Sequence, residues 1–504
     1  MLTDVANGDP RLSFWLRVRE FAVPPSMIET ATARRAAGDW AGACAAAAVD
    51  IDFDLRSLAG RHGSELVSRV RADLRHLAPD LLRWHMPRIA PDGLLRPGLT
   101  LTLARYRAAG GGPLHLVART PPAWADAGQR IGLALWEGSG SDARGHPHPR
   151  PSRRHRFDLH RHLWDARSAA ELRSRSGADR QAVDGPPPPG PHPFSNPYPN
   201  PNPHPHSHPS LPPPTASDEL RAWAAEHGCA VERWAEEAAI LLRAEGRSTG
   251  SVLVRCGARR RLLLELGTDA LMGRGPAEDA HPDADDGSRS PDPRITAVSG
   301  DDGALGALPV LPDAATWTLP DLELIRAGAI DVERLHPLVA SALVPDHLPS
   351  APAEAPDRAG QPRIVECRGE RHRIGLVDGV LVALDHDPAE LRREELLVAL
   401  TGTPLPCLRA IDEAHRRPDC LSGVRERLDH GDVAGALAVV EGLLGPDAVL
   451  RDGPLRDELE SAARRRIAYG LYRAGLAEPL PGRVRRNLGR RPSRQRRPRT
   501  ATFF

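Results

Sequence analysis

Apolar and polar positions alternate with a period of two in LTLTLARY (99–106), PLHLVART (from 113) and QRIGLALW (129–136). Glycine-rich breaks or a Pro-Pro turn separate the three. Successive side chains of a strand point to opposite faces, so the pattern predicts an antiparallel meander. Upstream the period is helical. MIETATARRAAG stops on Gly38, and Asp39 is placed to cap WAGACAAAA. Gly63 and Ser64 punctuate LRSLAGRHG and SELVSRVRADLRHL in the same manner. Further on, SDELRAWAAEHG and CAVERWAEEAAILLRAEG read as a helical pair, TGSVLVRC–GARR–RLLLEL as a hairpin, and LPDLELIRAG and DVERLHPLVASALV as two short helices. Strands IVECR, RIGLV and VLVAL follow, with Asp378-Gly379 as a two-residue hairpin turn. Asp387-Pro388-Ala389-Glu390 opens a helical stretch with proline at its first position, and SAARRRIAYGLYRAGL closes it.

Three stretches lack any such period. Residues 185–214 hold fifteen prolines, 274–304 are acidic and rich in Gly and Pro, and 346–362 read DHLPSAPAEAPDRAGQP. Such composition predicts linkers without a packed core. The fold class expected is α+β: antiparallel β-meanders with helical hairpins in about three ordered regions, separated by Pro-rich and acidic disordered linkers. The regions are an N-terminal α+β region (10–180), a Pro/His-rich linker (183–216), a middle helical and hairpin region (217–345) interrupted by the acidic 274–304, the linker 346–362, a C-terminal α+β region (363–478) and an arginine-rich tail (479–504). One internal echo exists: GDWAGACA (38–45) and GDVAGALA (431–438) share six of eight residues. Each predicts a tight αα-hairpin. Without a regular period between them, shared capping chemistry explains the echo better than a repeat array.

Composition narrows the chemistry. The net charge of +1 sets up no global field toward nucleic acid or membrane. Lysine is absent, so all 67 basic residues are arginine. That excludes a P-loop, a protein kinase, and Schiff-base or pyridoxal chemistry, all of which need a lysine amine. The six cysteines form no C-x-x-C. The N-terminus carries acids and no apolar core of a signal peptide, and no apolar run approaches the ~20 residues of a membrane span. A reduced, cytoplasmic bacterial protein without a membrane partner is expected.

The most enzyme-like string is FDLHRHLWD (157–165). It resembles the D-x-H-x-H at the end of the first barrel strand of amidohydrolase-type metal enzymes. On a strand, His160 and His162 would face one side and could share a zinc ion. The repeating βα units of such a barrel are missing, and a proline run begins about twenty residues later. The alternative is an arginine- and histidine-rich lead-in to the helix WDARSAAELRSR. GRSTG (246–250) matches a nucleophile elbow, but a helix precedes Ser248 and a strand follows, the reverse of what the elbow needs. GSGSDA (138–143) lacks the helix of a phosphate-binding turn. Asp50, Asp52 and Asp54 alternate in VDIDFDL and could hold Mg²⁺ or Ca²⁺, but the pattern also suits a half-buried strand with solvated aspartates, Asp54 capping the next helix. His204, His206 and His208 lie among alternating prolines. A polyproline II backbone turns residues two apart by about 240°, so the three diverge and mark a spacer.

In the tail, Arg483, Arg485, Arg486, Arg490, Arg491, Arg494, Arg496, Arg497 and Arg499 stand without an acid between them. They could hold nucleic-acid phosphates or an acidic partner. Trp124, between a turn and a strand, is a candidate binding anchor, although folding over the core is the commoner fate of a loop tryptophan. DLLRWHMPRIAPDGLLRPGL (80–99), TPPAWADAGQRI (120–131) and FDLHRHLWDA (157–166) together resemble a family of uncharacterised proteins of high-GC actinobacteria. The resemblance implies a bacterial cytoplasmic protein and brings no activity or site residues. The leading expectation is a non-catalytic scaffold or adaptor that binds other proteins. A metal-dependent hydrolase using His160 and His162, and a nucleic-acid-associated protein using the tail, are the alternatives.

Overall fold

A computed structural model describes residues 9–107, 112–138, 146–179, 215–257, 260–267, 294–298, 303–347, 363–367, 370–377, 380–387, 389–390, 392–393, 396, 406–408, 421–444, 450, 452–476 and 502–503. The fold is α+β, with several small sheets and helices packed on them. The chain opens with α1 (Pro10–Phe21), α2 (Pro25–Ala36) and α3 (Trp40–Ala46), then β1 (Val49–Ile51), α4 (Leu55–His62), α5 (Ser64–His76) and α6 (Pro79–His85). Short strands β2 (Arg88–Ile89) and β3 (Leu94–Leu95) lead into the expected meander, β4 (Thr100–Arg107), β5 (Pro113–Arg119) and β6 (Ile131–Trp136). The sheet order is β1-β6-β5-β4. The meander pairs antiparallel, but β1 joins it parallel to β6, Val49 beside Ile131.

Both faces of β4 and β5 are covered. α5 supplies Leu66, Val67, Val70 and Leu74 to the first core. The segment after β6 crosses β4, where the Thr102 amide donates to the His155 carbonyl at 3.2 Å. Thr100, Thr102 and His115 are therefore buried polar positions. Residues 157–171 run through three 3₁₀ turns to α7 (Leu172–Ser176).

The second core lies between α8 (Ala216–Glu226), α9 (Trp234–Ala244) and the antiparallel sheet β7 (Gly250–Cys256), β8 (Arg260–Leu266) and β9 (Arg294–Val298). α10 (Asp313–Thr316) closes it. β9 falls inside the stretch expected to be an acidic linker. Its sequence RITAV is the apolar exception there, and Ile295 buries opposite Leu264. α11 (Pro320–Arg326) and α12 (Pro337–Leu343) return to the first core with Leu324, Leu335 and Val339.

The third region pairs β10 (Arg363–Cys367), β11 (Glu370–Val377) and β12 (Val380–Ala383), and Val377 faces Val380 as a two-residue turn requires. It continues as α13 (Leu421–His430), α14 (Val433–Leu444) and α15 (Pro454–Arg473) around Val424, Leu428, Ala436 and Val440. β13 (Thr502–Phe503) pairs with β2.

The echoed octapeptides form matching hairpins, α2–α3 and α13–α14. Asp39 accepts from the Gly42 amide at 2.8 Å, and Asp432 from the Gly435 amide at 2.9 Å. A Cβ on Gly42 or Gly435 would run into that capping carboxylate, which explains why both copies keep glycine there. Gly431 has φ +87°, and its Cα faces the carbonyl of Gly128 so closely that a Cβ would meet backbone. Gly431→Ala should cost roughly 2 kcal/mol or more, from left-handed strain plus the backbone clash. A lowered denaturant midpoint with an unchanged slope would record it; an unaltered midpoint would contradict this packing.

Candidate functional site

His160 joins two consecutive 3₁₀ turns and His162 sits in the second, so neither is on a strand or at the start of an α-helix. Phe157, Leu163 and Trp164 bury at irregular spacing, which suits neither a period of two nor one of 3.6. Both histidines are buried, and their rings meet edge to face at 5.7 Å. His160 Nδ1 lies 3.0 Å from the Arg156 carbonyl, and Nε2 lies 3.2 Å from Glu237 on α9. Arg175 grips the same carboxylate with two hydrogen bonds of 2.7 Å, and Arg233 stands 3.6 Å away. Burial alone would raise Glu237, but His160 and Arg175 hold it well below the usual carboxylate range. Burial pushes His162 well below the ordinary histidine value. The pair thus ties the second core to the first through Glu237. Beside it, Trp15, His85, His162 and Trp317 line an internal space with room for water and not for an organic ligand.

A larger opening lies between β1, β6 and α15. It is a cleft of about 510 Å³, within the size range of small-molecule sites. Alternation along VDIDFDL places Asp50 and Asp52 on one side of β1, as expected, but they are not simply solvated. Asp50 receives Arg130 Nε at 2.7 Å and Nη2 at 2.6 Å, and the Tyr469 hydroxyl donates to it. Burial would raise Asp50; hydrogen bonds from Arg130 and Tyr469 outweigh it and hold the group low. Asp52 pairs with Arg473, yet its burial dominates and its pKa is raised. Arginine nitrogens stand where a Mg²⁺ or Ca²⁺ ion would have to sit. Asp54 caps α4 through the Ser57 amide at 2.8 Å. Arg61, Arg119, Glu137 and His146 complete the walls.

Tyr469, Tyr472 and Arg473 went unnoticed in the sequence. Their spacing of three and four puts them on one helix face, but nothing local shows that the face meets a strand some 420 residues upstream. The same helix has another side that no described residue covers. Ile467 is 64 % exposed, Leu471 42 % and Leu476 75 %, and Trp124, at 37 %, sets its edge against Tyr472 with centroids 5.5 Å apart.

Ser248 lies between α9 and β7, the inverted context that rules out a nucleophile elbow. GSGSDA and the histidines at 204, 206 and 208 lie outside the described residues, apart from Gly138, as do all nine tail arginines. Among the described residues, one group of three His, Cys, Asp or Glu side chains stands close enough to share an ion: His372, His386 and Cys407. No helix among the described residues is long and apolar enough to cross a membrane. No protein-family model, curated protein or solved structure matches this chain.

Proposed function

We propose that the protein is a non-catalytic scaffold that binds another protein on the face formed by α15 and Trp124. The observation that carries this reading is the two-sidedness of α15. One side is pinned by Tyr469 on Asp50 and Arg473 on Asp52, so the helix is held in place before any partner arrives. The other side presents Ala463, Ile467 and Leu471 at helical spacing, with Leu476 just past the helix end and Trp124 at its border, against Tyr472. A run of exposed apolar side chains on a rigid element is the usual mark of a protein contact. Exposed Arg464 and Arg466 flank the stripe. The partner this suits is an amphipathic helix with an apolar stripe and acidic flanks. A reducing cytoplasm suits Cys229 and Cys256, which lie side by side in the second core as thiols.

The test compares the full chain with an Ile467→Glu, Leu471→Glu variant as baits in cell extract, followed by affinity measurement on the captured protein. Two lost anchors should weaken binding about tenfold or more, while the melting temperature and circular dichroism stay unchanged because both side chains face solvent. Equal capture by the two baits would refute the reading. So would the absence of any protein enriched by the unmodified chain.

A further inference from the structure

The geometry points to a zinc site in the third region, with the side chains of His372, His386 and Cys407 as its ligands. This site is separate from the α15 face and does not depend on it.

The strand pairing builds it. His372 and Ile374 share one side of β11, and Ile374 is buried, so His372 is directed inward. After β12 the chain continues the ladder one step further, with the Leu384 amide donating to the Arg373 carbonyl at 2.7 Å. Asp385 then clamps Arg373 twice. It accepts the Arg373 amide at 2.7 Å and the guanidinium at 2.8 Å. That clamp turns the next residue, His386, back over His372, and the two rings lie 4.1 Å apart. Cys407, on a helical turn at 406–408, is fully buried against them.

The ligand atoms of all three lie within 4.8 Å of one another. Zinc bonds of ~2.0–2.3 Å set tetrahedral edges of about 3.3–3.7 Å, so modest side-chain rotation closes the set. His372 Nδ1 and His386 Nε2 are buried nitrogens with no hydrogen-bond partner among the described residues. The His386 side chain is only 4 % exposed, and its other nitrogen faces the Glu390 carboxylate at 3.8 Å. A ligating imidazole commonly has such a carboxylate behind its far nitrogen, fixing its tautomer. Two imidazoles and a thiolate are too soft a set for Mg²⁺ or Ca²⁺ and suit zinc.

The His160 and His162 pair also holds buried nitrogens without a hydrogen-bond partner, His160 Nε2 and His162 Nδ1, but among the described residues it has no third ligand within reach. Its carboxylate neighbour, Glu237, is already taken by two arginines.

The test uses the full chain carrying His204→Gln, His206→Gln and His208→Gln, which removes the spacer histidines as a weak sink. Metal-free protein is titrated with Zn²⁺ against a chromophoric chelator, and separately with Co²⁺. One zinc per chain is expected. The cobalt form should show a thiolate-to-metal charge-transfer band and the intense visible bands of tetrahedral Co²⁺. Cys407→Ser and His386→Gln should each weaken zinc about 100-fold or more, while His160→Gln with His162→Gln leaves the affinity unchanged. A cobalt spectrum without the thiolate band would overturn the proposal in the unmodified site, whatever the variants do to folding. Undiminished zinc in the Cys407→Ser, His386→Gln double variant would overturn it too.

Discussion

Asp321→Ala is expected to lower the free energy of unfolding by about 3–5 kcal/mol, the usual cost of stranding one partner of a buried ion pair. Asp321, on α11, takes Arg19 Nε at 2.7 Å and Nη2 at 2.9 Å, and the Trp84 indole N–H lies 3.2 Å from both of its oxygens. The Arg19 side chain is 2 % exposed and that of Asp321 not at all. Arg19 also lies over the Trp84 ring at 4.3 Å and donates to the Trp84 carbonyl at 2.9 Å. Removing the carboxylate leaves a guanidinium in a tryptophan cage with one carbonyl for company. The pair itself contributes less than its breakage costs, because burial already disfavours both charges. An Arg19→Met, Asp321→Leu chain should therefore recover much of the loss. Denaturant unfolding of the two single variants and the double closes the cycle. A single-variant loss below about 1 kcal/mol would contradict this account.

Mild acid should cost the protein the stabilising contribution of His430. His430 ends α13 against the first core, its ring stacked on Phe21 at 6.3 Å. Its carbonyl accepts Arg83 Nη2 at 3.0 Å. Burial, then the charges of Arg88, Arg83 and Arg17, push its pKa down to about 3 from 6.5, against a small opposing contribution from the Asp92 backbone. A depressed histidine is neutral in the folded chain and takes up its proton more readily when unfolded. Its contribution is complete above pH 6.5 and is lost as pH falls toward 3. At pH 5 the loss from His430 alone is on the order of 2 kcal/mol. Burial shifts His85, His155 and His162 in the same direction. Glu237, held low, adds a further loss below the ordinary glutamate range. Glu323, pushed up to about 7 by burial, works the other way, so urea midpoints at pH 7.5 and 5.0 are compared between the chain and His430→Gln, which should be the less sensitive to acid by about the His430 contribution. A His430→Gln chain that loses as much stability between pH 7.5 and 5.0 as the unmodified one would refute the assignment.

The meanders were legible because alternation, glycine and proline punctuation, and the Asp-Gly turn all agree over short distances. The parallel partner of β1 was not, since Val49 meets Ile131 across three helices and four strands of intervening chain. β9 was hidden by its acidic neighbours, as composition outweighed the one apolar run. Arginine misled most. In a pattern of apolar and polar positions it counts as surface, yet Arg19, Arg83, Arg88, Arg156 and Arg233 are buried. A planar fork with several donors can satisfy carbonyls and carboxylates at once. Arg83 does so with the carbonyls of Ala22, Gln129 and His430. The aspartates of VDIDFDL were placed on the correct side of their strand, but their partners come from afar, Arg130 from the lead-in to β6 and Tyr469 and Arg473 from the distant helix α15. For His372, His386 and Cys407, spacings of 14 and 21 residues match no familiar zinc pattern. Only the pairing of β11 with the turn after β12 brings them together.

The helical unit α13–α15 keeps a hydrophobic cluster of its own, with no member shared with the first core. Its grip on the rest of the chain runs largely through Arg17 with Glu426, Arg83 with the His430 carbonyl, and Tyr469 and Arg473 with Asp50 and Asp52. Heat capacity follows apolar exposure. Parting such a seam therefore leaves only a faint calorimetric trace, and dissolved ions weaken the exposed parts of it directly. Added salt is therefore expected to loosen this seam ahead of the packed cores.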